Sequence, residues 1–201
     1  MKMVRTTISL AVASALVMLA GPNSLAADEP ALWSALADGG KVVMIRHTQS
    51  EEATPEVSMH LSPERDCAEE QNLSEEGREQ ARALGERFQE QGVTVDAVMS
   101  SEFCRARQTA ELAFGDYEAW TPLNLIESLP AGETEWLMED VRERIGEFDG
   151  DGVLVLVSHR SNINTITFRQ TEPGDMVVTE PEGFGAFDVL GIIPRDQGSA
   201  E

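Results

Sequence analysis

Val153-Leu-Val-Leu-Val157 is an unbroken run of five apolar residues between Gly152 and Ser158. A strand wetted on one side alternates apolar and polar residues. A continuous run suits a strand covered on both faces, as in a parallel sheet between layers of helix. Lys41-Val-Val-Met-Ile45 repeats the pattern. Helical patterns lie around these runs. Residues 30–37 read as a short helix stopped by Gly39-Gly40. Ser74 is an N-cap with Glu75 and Glu76 in the first turn behind it. Leu73, Gly77, Ala81, Leu84 and Phe88 then share one helical face, which ends at Gly92. Residues 93–99 contain a second strand, and 106–114 a helix. Residues 134–148 make a longer helix, with Trp136, Leu137, Val141, Ile145 and Phe148 on a common side. A helix is expected at 162–168, and strands at 176–179 and 187–193, with Gly183 and Gly185 in the turn between them. Residues 48–72 are polar, contain Pro55 and Pro63, and read as a long loop of the kind that covers or lines a site. Strands separated by helices predict an α/β fold, three layers α/β/α with a largely parallel central sheet.

The first segment reads as an address. Lys2 and Arg5 form a positive start, residues 8–20 are apolar or small apart from Ser9 and Ser14, and Gly21-Pro22 breaks the run. Ser24-Leu25-Ala26 is a small-x-small cleavage site. The run is short for a bilayer span, so a cleaved signal peptide at 1–26 is preferred to a retained anchor. The mature chain, 27–201, is then one exported domain, periplasmic or secreted, with no stable membrane insertion after cleavage. Losing two cations takes the formal charge from −21 to about −23 and leaves Lys41 as the sole lysine.

That charge, from 36 acidic and 15 basic residues, excludes a nucleic-acid binder, which needs a basic footprint. Three histidines and two cysteines cannot build a zinc finger or ribbon, and neither metal nor cofactor is expected. Phosphate is not excluded, because the basic residues fall in particular places. In open α/β sheets, ligands bind beyond the carboxyl ends of the strands. Arg46 and His47 follow the first strand; Ser100, Ser101, Arg105 and Arg107 the second; Ser158, His159 and Arg160 the third. Arginine offers oxyanions a planar fork of donors. A neutral imidazole beside it can attack phosphorus and form a phosphohistidine that water then hydrolyses. A carboxylic acid is still required for the leaving alkoxide, and composition cannot choose it.

Four stretches together resemble the histidine phosphatase superfamily, whose fold is phosphoglycerate-mutase-like. They are Val42-Val-Met-Ile-Arg46-His47-Thr48, Asn72-Leu-Ser-Glu-Glu-Gly77-Arg78-Glu-Gln80-Ala81, Ser100-Ser101-Glu-Phe-Cys104-Arg105-Ala-Arg-Gln108-Thr109-Ala110 and Val155-Leu-Val-Ser158-His159-Arg-Ser-Asn162-Ile163. Their order and spacing are similar to those of exported bacterial members of branch 1. The resemblance implies a metal-independent phosphatase of small phosphate monoesters. His47 is then the nucleophile, and Arg46, Arg105 and His159 bind the phosphoryl group. Glu127, in Asn124-Leu125-Ile126-Glu127, is the candidate acid, with Glu133 and Glu135 as rivals. Thr48 stands where the family has a tiny residue; it either narrows the approach or adds a hydrogen bond. Arg160 stands where the family commonly has Gly or Gln; it is either an extra phosphate ligand or a solvated arginine paired with a local acid. Arg107 is expected on the outside of its helix, paired with acids, and His60 in the loop is expected to serve the surface. For Cys67 and Cys104 the alternatives are two buried thiols or, favoured by export and by the neighbouring Arg105, a disulfide tying the loop to the phosphate site. A second functional class stays open: a non-catalytic protein that binds phosphate or a phosphosugar on the same fold. Acids with almost no lysine also point to a salty environment, where screening weakens self-repulsion. Oligomeric state is not legible.

Overall fold

The two apolar runs lie side by side at the centre of a six-stranded sheet. The computed structural model describes residues 28–53, 61–62, 66–128 and 132–195; the proposed signal peptide, Pro55, His60 and Pro63 fall outside these. The elements are α1 (Glu29–Ala37), β1 (Lys41–Arg46), α2 (Glu75–Glu90), β2 (Val95–Ser100), α3 (Cys104–Phe114), β3 (Glu118–Ala119), α4 (Thr134–Gly146), β4 (Val153–Ser158), α5 (Arg160–Thr167), β5 (Met176–Gly183) and β6 (Ala186–Ile193). The sheet order is β3-β2-β4-β1-β5-β6. β1, β2, β3 and β4 are parallel, and β5 and β6 form an antiparallel extension on the β1 side.

Period-two alternation inside the apolar runs sorts side chains onto two helical layers. Val43, Ile45, Val153, Val155 and Val157 pack with Leu32, Trp33 and Leu36 of α1, Leu84 and Phe88 of α2, and Ala106 and Ala110 of α3. Val42, Met44, Leu154 and Leu156 pack with Met138, Val141 and Ile145 of α4 and Ile163 and Ile166 of α5. β4 is buried along its whole length, as a run apolar at every position requires. The architecture is the three-layer α/β/α sandwich with a mostly parallel sheet. Among the described residues no helix is long and apolar enough to cross a membrane.

One expectation needs correction. Trp136 does not join the buried side of α4; it is 74% exposed, and the buried stripe is Met138, Val141 and Ile145. Two residues of α-helix turn about 200°, so Trp136 faces away from Met138. β3, with two exposed residues, and the 3-10 turns Thr121–Leu123 and Ile126–Ser128 carry no apolar period and were not legible.

The parallel strands end together. Arg46 is in register with Ser158, and Ser100 with Val157. The chain stays tied to the sheet edge as it leaves: His47 N donates to Ser158 O at 3.0 Å, and Ser101 N to Val157 O at 2.9 Å. α2 closes against the loop after β1 at Gly77. A Cβ there would sit 1.8 Å from Gln49 O, so only glycine allows this approach. Ser74 caps α2 by accepting from Gly77 N at 3.1 Å, as its sequence suggested.

Candidate active site

Beyond the strand ends lies an open cavity of about 320 Å³, lined by Arg46, His47, Ser50, Gln71, Arg105, Leu125, Glu127, His159, Arg160 and Ser161. The fold thus brings all six candidate catalytic and phosphate-binding residues to one place.

Arg105, in the first turn of α3, occupies the centre. Its Nε donates to His47 Nε2 at 3.2 Å, and its Nη2 lies 3.3 Å from His159 Nδ1. A guanidinium has no acceptor, so each of those ring nitrogens must present a lone pair. The opposite nitrogens agree. His47 Nδ1 lies 2.9 Å from the Thr48 carbonyl, which can only accept, so Nδ1 carries the proton. His159 Nε2 then donates to Ser101 Oγ at 2.9 Å, and Ser101 passes its own proton to Asn124 Oδ1 at 3.1 Å. Asn124 is held in turn: its Oδ1 accepts from Glu102 N at 2.8 Å, and its Nδ2 donates to Glu102 Oε2 at 2.9 Å. Both rings are therefore neutral, of opposite tautomer, and about 64° apart in plane, with centroids separated by 5.4 Å.

Electrostatics reinforce the tautomers. Burial, then the Arg105 charge, lowers His47 from its usual value to about 3, against a weaker opposing contribution from the Thr48 carbonyl. Burial, Arg105 and His47 hold His159 well below the ordinary imidazole range. Burial lowers Arg105 to about 10, with Glu70 opposing. Arg46 is lowered by burial and then by the neighbouring Arg160 charge. Arg46 Nη1 donates to the Thr171 carbonyl, and its Nε is buried without a partner among the described residues, as is Arg105 Nη1. Buried donors left open on two guanidiniums form a natural seat for an oxyanion.

The remaining candidates fall into place. Glu127, on the exposed 3-10 turn Ile126–Ser128, lines the cavity and accepts from Ser161 Oγ at 2.8 Å. Its rivals Glu133 and Glu135 are exposed around the start of α4 and do not line the cavity. Arg160, the first residue of α5, is exposed at the cavity margin, and no carboxylate pairs with it among the described residues. Thr48 does not narrow the cavity. Its hydroxyl donates to Gly77 O at 2.8 Å, and its N–H donates to Thr109 Oγ1 at 3.1 Å, so it anchors the chain beside His47 to α2 and α3. Ser158 Oγ turns to the Leu123 carbonyl at 2.7 Å, away from the cavity.

Cys67 and Cys104 form a disulfide. Arg107 is half-buried rather than fully outside: its Nη2 lies 2.9 Å from Cys104 Sγ and 3.3 Å from Cys67 Sγ. With α3 starting at Cys104, Arg107 is one turn further along the same face. Sequence reasoning missed Glu70. Only 1% exposed, it accepts from Cys104 N at 2.8 Å and Ser62 N at 3.3 Å, which places a carboxylate on the start of α3 beside Arg105. Its proximity to Cys67 was the one available signal. Ser50 and Gln71, also in the cavity, carried none. Among the described residues no group of three or more His, Cys, Asp or Glu is arranged to hold a metal ion.

The family model for the histidine phosphatase superfamily (branch 1) matches residues 42–130. No curated protein matches the chain. Among solved structures, the fold is shared with the protein histidine phosphatase SixA complexed with tungstate, at 15% identity, covering 77% of this chain and 97% of that one with a TM-score of 0.57. It is shared with a proposed alpha-ribazole-5'-P phosphatase of Escherichia coli, at 17% identity, 78% and 97% coverage and a TM-score of 0.58. A mutant phosphoserine phosphatase of Entamoeba histolytica in complex with phosphoserine follows at 13% identity, 76% and 95% coverage and a TM-score of 0.53. Residues 42–130 thus match the histidine phosphatase superfamily (branch 1), and the described chain shares the fold of these solved phosphatases.

Proposed function

We propose that the protein is a phosphatase that hydrolyses small phosphate monoesters through a phosphohistidine on His47. One observation carries this reading: Arg105 donates to a lone pair on each of two buried, neutral histidines at the floor of a cavity, and Arg105 and Arg46 each keep a buried donor with no partner among the described residues. The hydrogen bond from Nδ1 to Thr48 O holds the His47 ring and leaves Nε2 as the attacking atom. In the reaction, the phosphoryl oxygens take over the Arg105 and Arg46 donors, freeing the Nε2 lone pair. The P–N bond forms as the P–O bond to the leaving group breaks. Charge on the transferring oxygens is stabilised by Arg46 and Arg105. A dianion beside His159 reverses the electrostatic sign that keeps this ring neutral, so His159 gains a proton on Nδ1 and donates it in a hydrogen bond to the phosphoryl group. Glu127 is the acid that protonates the departing alkoxide, and as a carboxylate it then activates the water that cleaves the phosphohistidine. No metal enters these steps. SixA holds tungstate, itself a tetrahedral oxyanion, on this fold, which supports an oxyanion seat.

We also propose that residues 1–26 direct export and are removed, leaving the domain 27–201 in the periplasm or outside the cell. The Cys67–Cys104 disulfide supports an oxidising compartment. Hydrolysis of p-nitrophenyl phosphate by the mature protein in EDTA tests the catalytic reading. His47→Ala should lose at least about a thousandfold in kcat. Equal rates in the two proteins overturn the reading.

A further inference from the structure

Among the described residues the cavity is lined by three guanidiniums, those of Arg46, Arg105 and Arg160, and one carboxylate, Glu127. The first two arginines are committed at the floor, Arg46 to the Thr171 carbonyl and Arg105 to both histidines, and each keeps one buried donor free. Arg160 differs in every respect. It is exposed at the margin, and none of the described carboxylates pairs with it. Glu127, the acid of the same cavity, takes the Ser161 hydroxyl instead. Helix α5 (Arg160–Thr167) contains no acidic residue that could reach back to it. An arginine at the first position of a helix also faces the positive end of the helix dipole, where a cation is disfavoured. In a chain with 36 acidic residues, an arginine placed against both the dipole and a neighbouring arginine, with no carboxylate paired to it among the described residues, lacks a structural reason.

Position supplies a functional one. Arg46 and Arg105 stand at the floor, each with a buried donor that has no partner among the described residues, and they form the phosphoryl seat. Arg160 lines the same cavity at its margin and is the outermost of these cations. We infer that Arg160 forms a second anion subsite, so that the preferred ligand is a phosphorylated molecule bearing another negative group, such as a carboxylate, a few bonds from phosphorus. The inference rests on the phosphatase reading for the inner position and adds the substrate class. Ser161, beside Arg160 and bonded to Glu127, ties the second subsite to the acid.

Non-hydrolysable phosphonates test the subsite without turnover. Carboxyalkylphosphonates with two to four methylenes are compared with alkylphosphonates of equal length by calorimetry, on the mature protein and on Arg160→Gln. The wild type should bind the best carboxylated member about fivefold tighter than its alkyl counterpart, the upper end for an exposed charge pair. In Arg160→Gln that ratio should fall to within about twofold, as expected when the pair is removed. Equal affinities in the wild type, a ratio that survives in Arg160→Gln, or no binding of either series would each overturn the subsite. If the ratio behaves as expected while p-nitrophenyl phosphate is not hydrolysed, the phosphatase reading falls and the second anion subsite stands.

Discussion

Reducing the Cys67–Cys104 disulfide should cost much of the protein's stability. The bond joins residues 37 apart in sequence, so it closes a loop of that size in the unfolded chain. Chain entropy for such a loop amounts to about 4 kcal/mol at 25 °C. With a urea dependence of about 2 kcal/mol per molar for a domain of this size, the unfolding midpoint should drop by about 2 M. The native side adds little relief, because Cys104 is fully buried and a thiol fills the same space. Reduction is therefore a cleaner perturbation than serine replacement, which would bury a hydroxyl. The assay is urea denaturation of the oxidised and dithiothreitol-reduced protein, followed by near-ultraviolet circular dichroism, with thiol titration to show two free cysteines. The segment that carries Glu70 and Gln71 also loses its covalent tie to the α3 start, so phosphate affinity should fall together with stability. A fully reduced protein whose midpoint moves by less than about 0.5 M would refute the loop-closure reasoning, since a constraint of this length cannot be that weak unless the unfolded chain is already compact there.

Other expectations follow from the site. His47 is held near 3 in the folded protein against about 6.5 when unfolded, so the unfolded chain binds the extra proton; the stability that neutral His47 confers is complete above pH 6.5 and is lost as pH falls toward 3. The stability difference between wild type and His47→Gln should accordingly shrink by about 1.4 kcal/mol for each unit between pH 6 and 4, measured by denaturant titration; a flat difference contradicts a buried neutral imidazole. Glu127→Gln should slow hydrolysis of an alkyl phosphate by about a hundredfold and barely affect p-nitrophenyl phosphate, whose leaving group needs no proton; equal losses on both would remove Glu127 as the acid. Thr48→Val removes the hydroxyl that donates to the Gly77 carbonyl, which keeps its helical partner Ala81 N–H, and should destabilise the protein by about 0.5–1.5 kcal/mol, readable as a lowered melting temperature. With 36 acidic residues against 15 basic ones, the melting temperature should rise between low and molar sodium chloride, and a decrease would dissociate the acidic composition from salt adaptation.

The parts of this protein that were legible in advance share one property: they depend on short-range periodicity. Five consecutive apolar residues identify β4 as a two-sided strand whatever surrounds it. Ser74 before two acids identifies a helix start from local hydrogen bonding alone. The positions of Arg46, His47 and His159 just past strand ends follow once the strands are known to be parallel. Where the reading failed, local pattern carried too little. Trp136 was grouped with Val141 and Ile145 on one side of its helix, yet its phase on α4 opposes Met138. Arg107 was assigned to the outside because it is charged, yet its helix begins at a cysteine whose sulfur it covers.

Residue pattern alone specifies the layers, the parallel strands and the placing of two histidines and three arginines at one edge of the sheet. How those groups address one another follows from the folded chain. Arg105 reaches both imidazoles because register sets Arg46 beside Ser158 and α3 crosses above them. Glu127 faces the cavity while Glu133 and Glu135 do not, and Thr48 turns its hydroxyl to α2 rather than to the ligand. Glu70 reaches the start of α3 from a segment 34 residues earlier. Side-chain period is written into neighbouring residues, and so the sequence displays it. The separation of groups many tens of residues apart depends on strand register and on how helices pack over the sheet, and those quantities exist only once the chain has closed on itself.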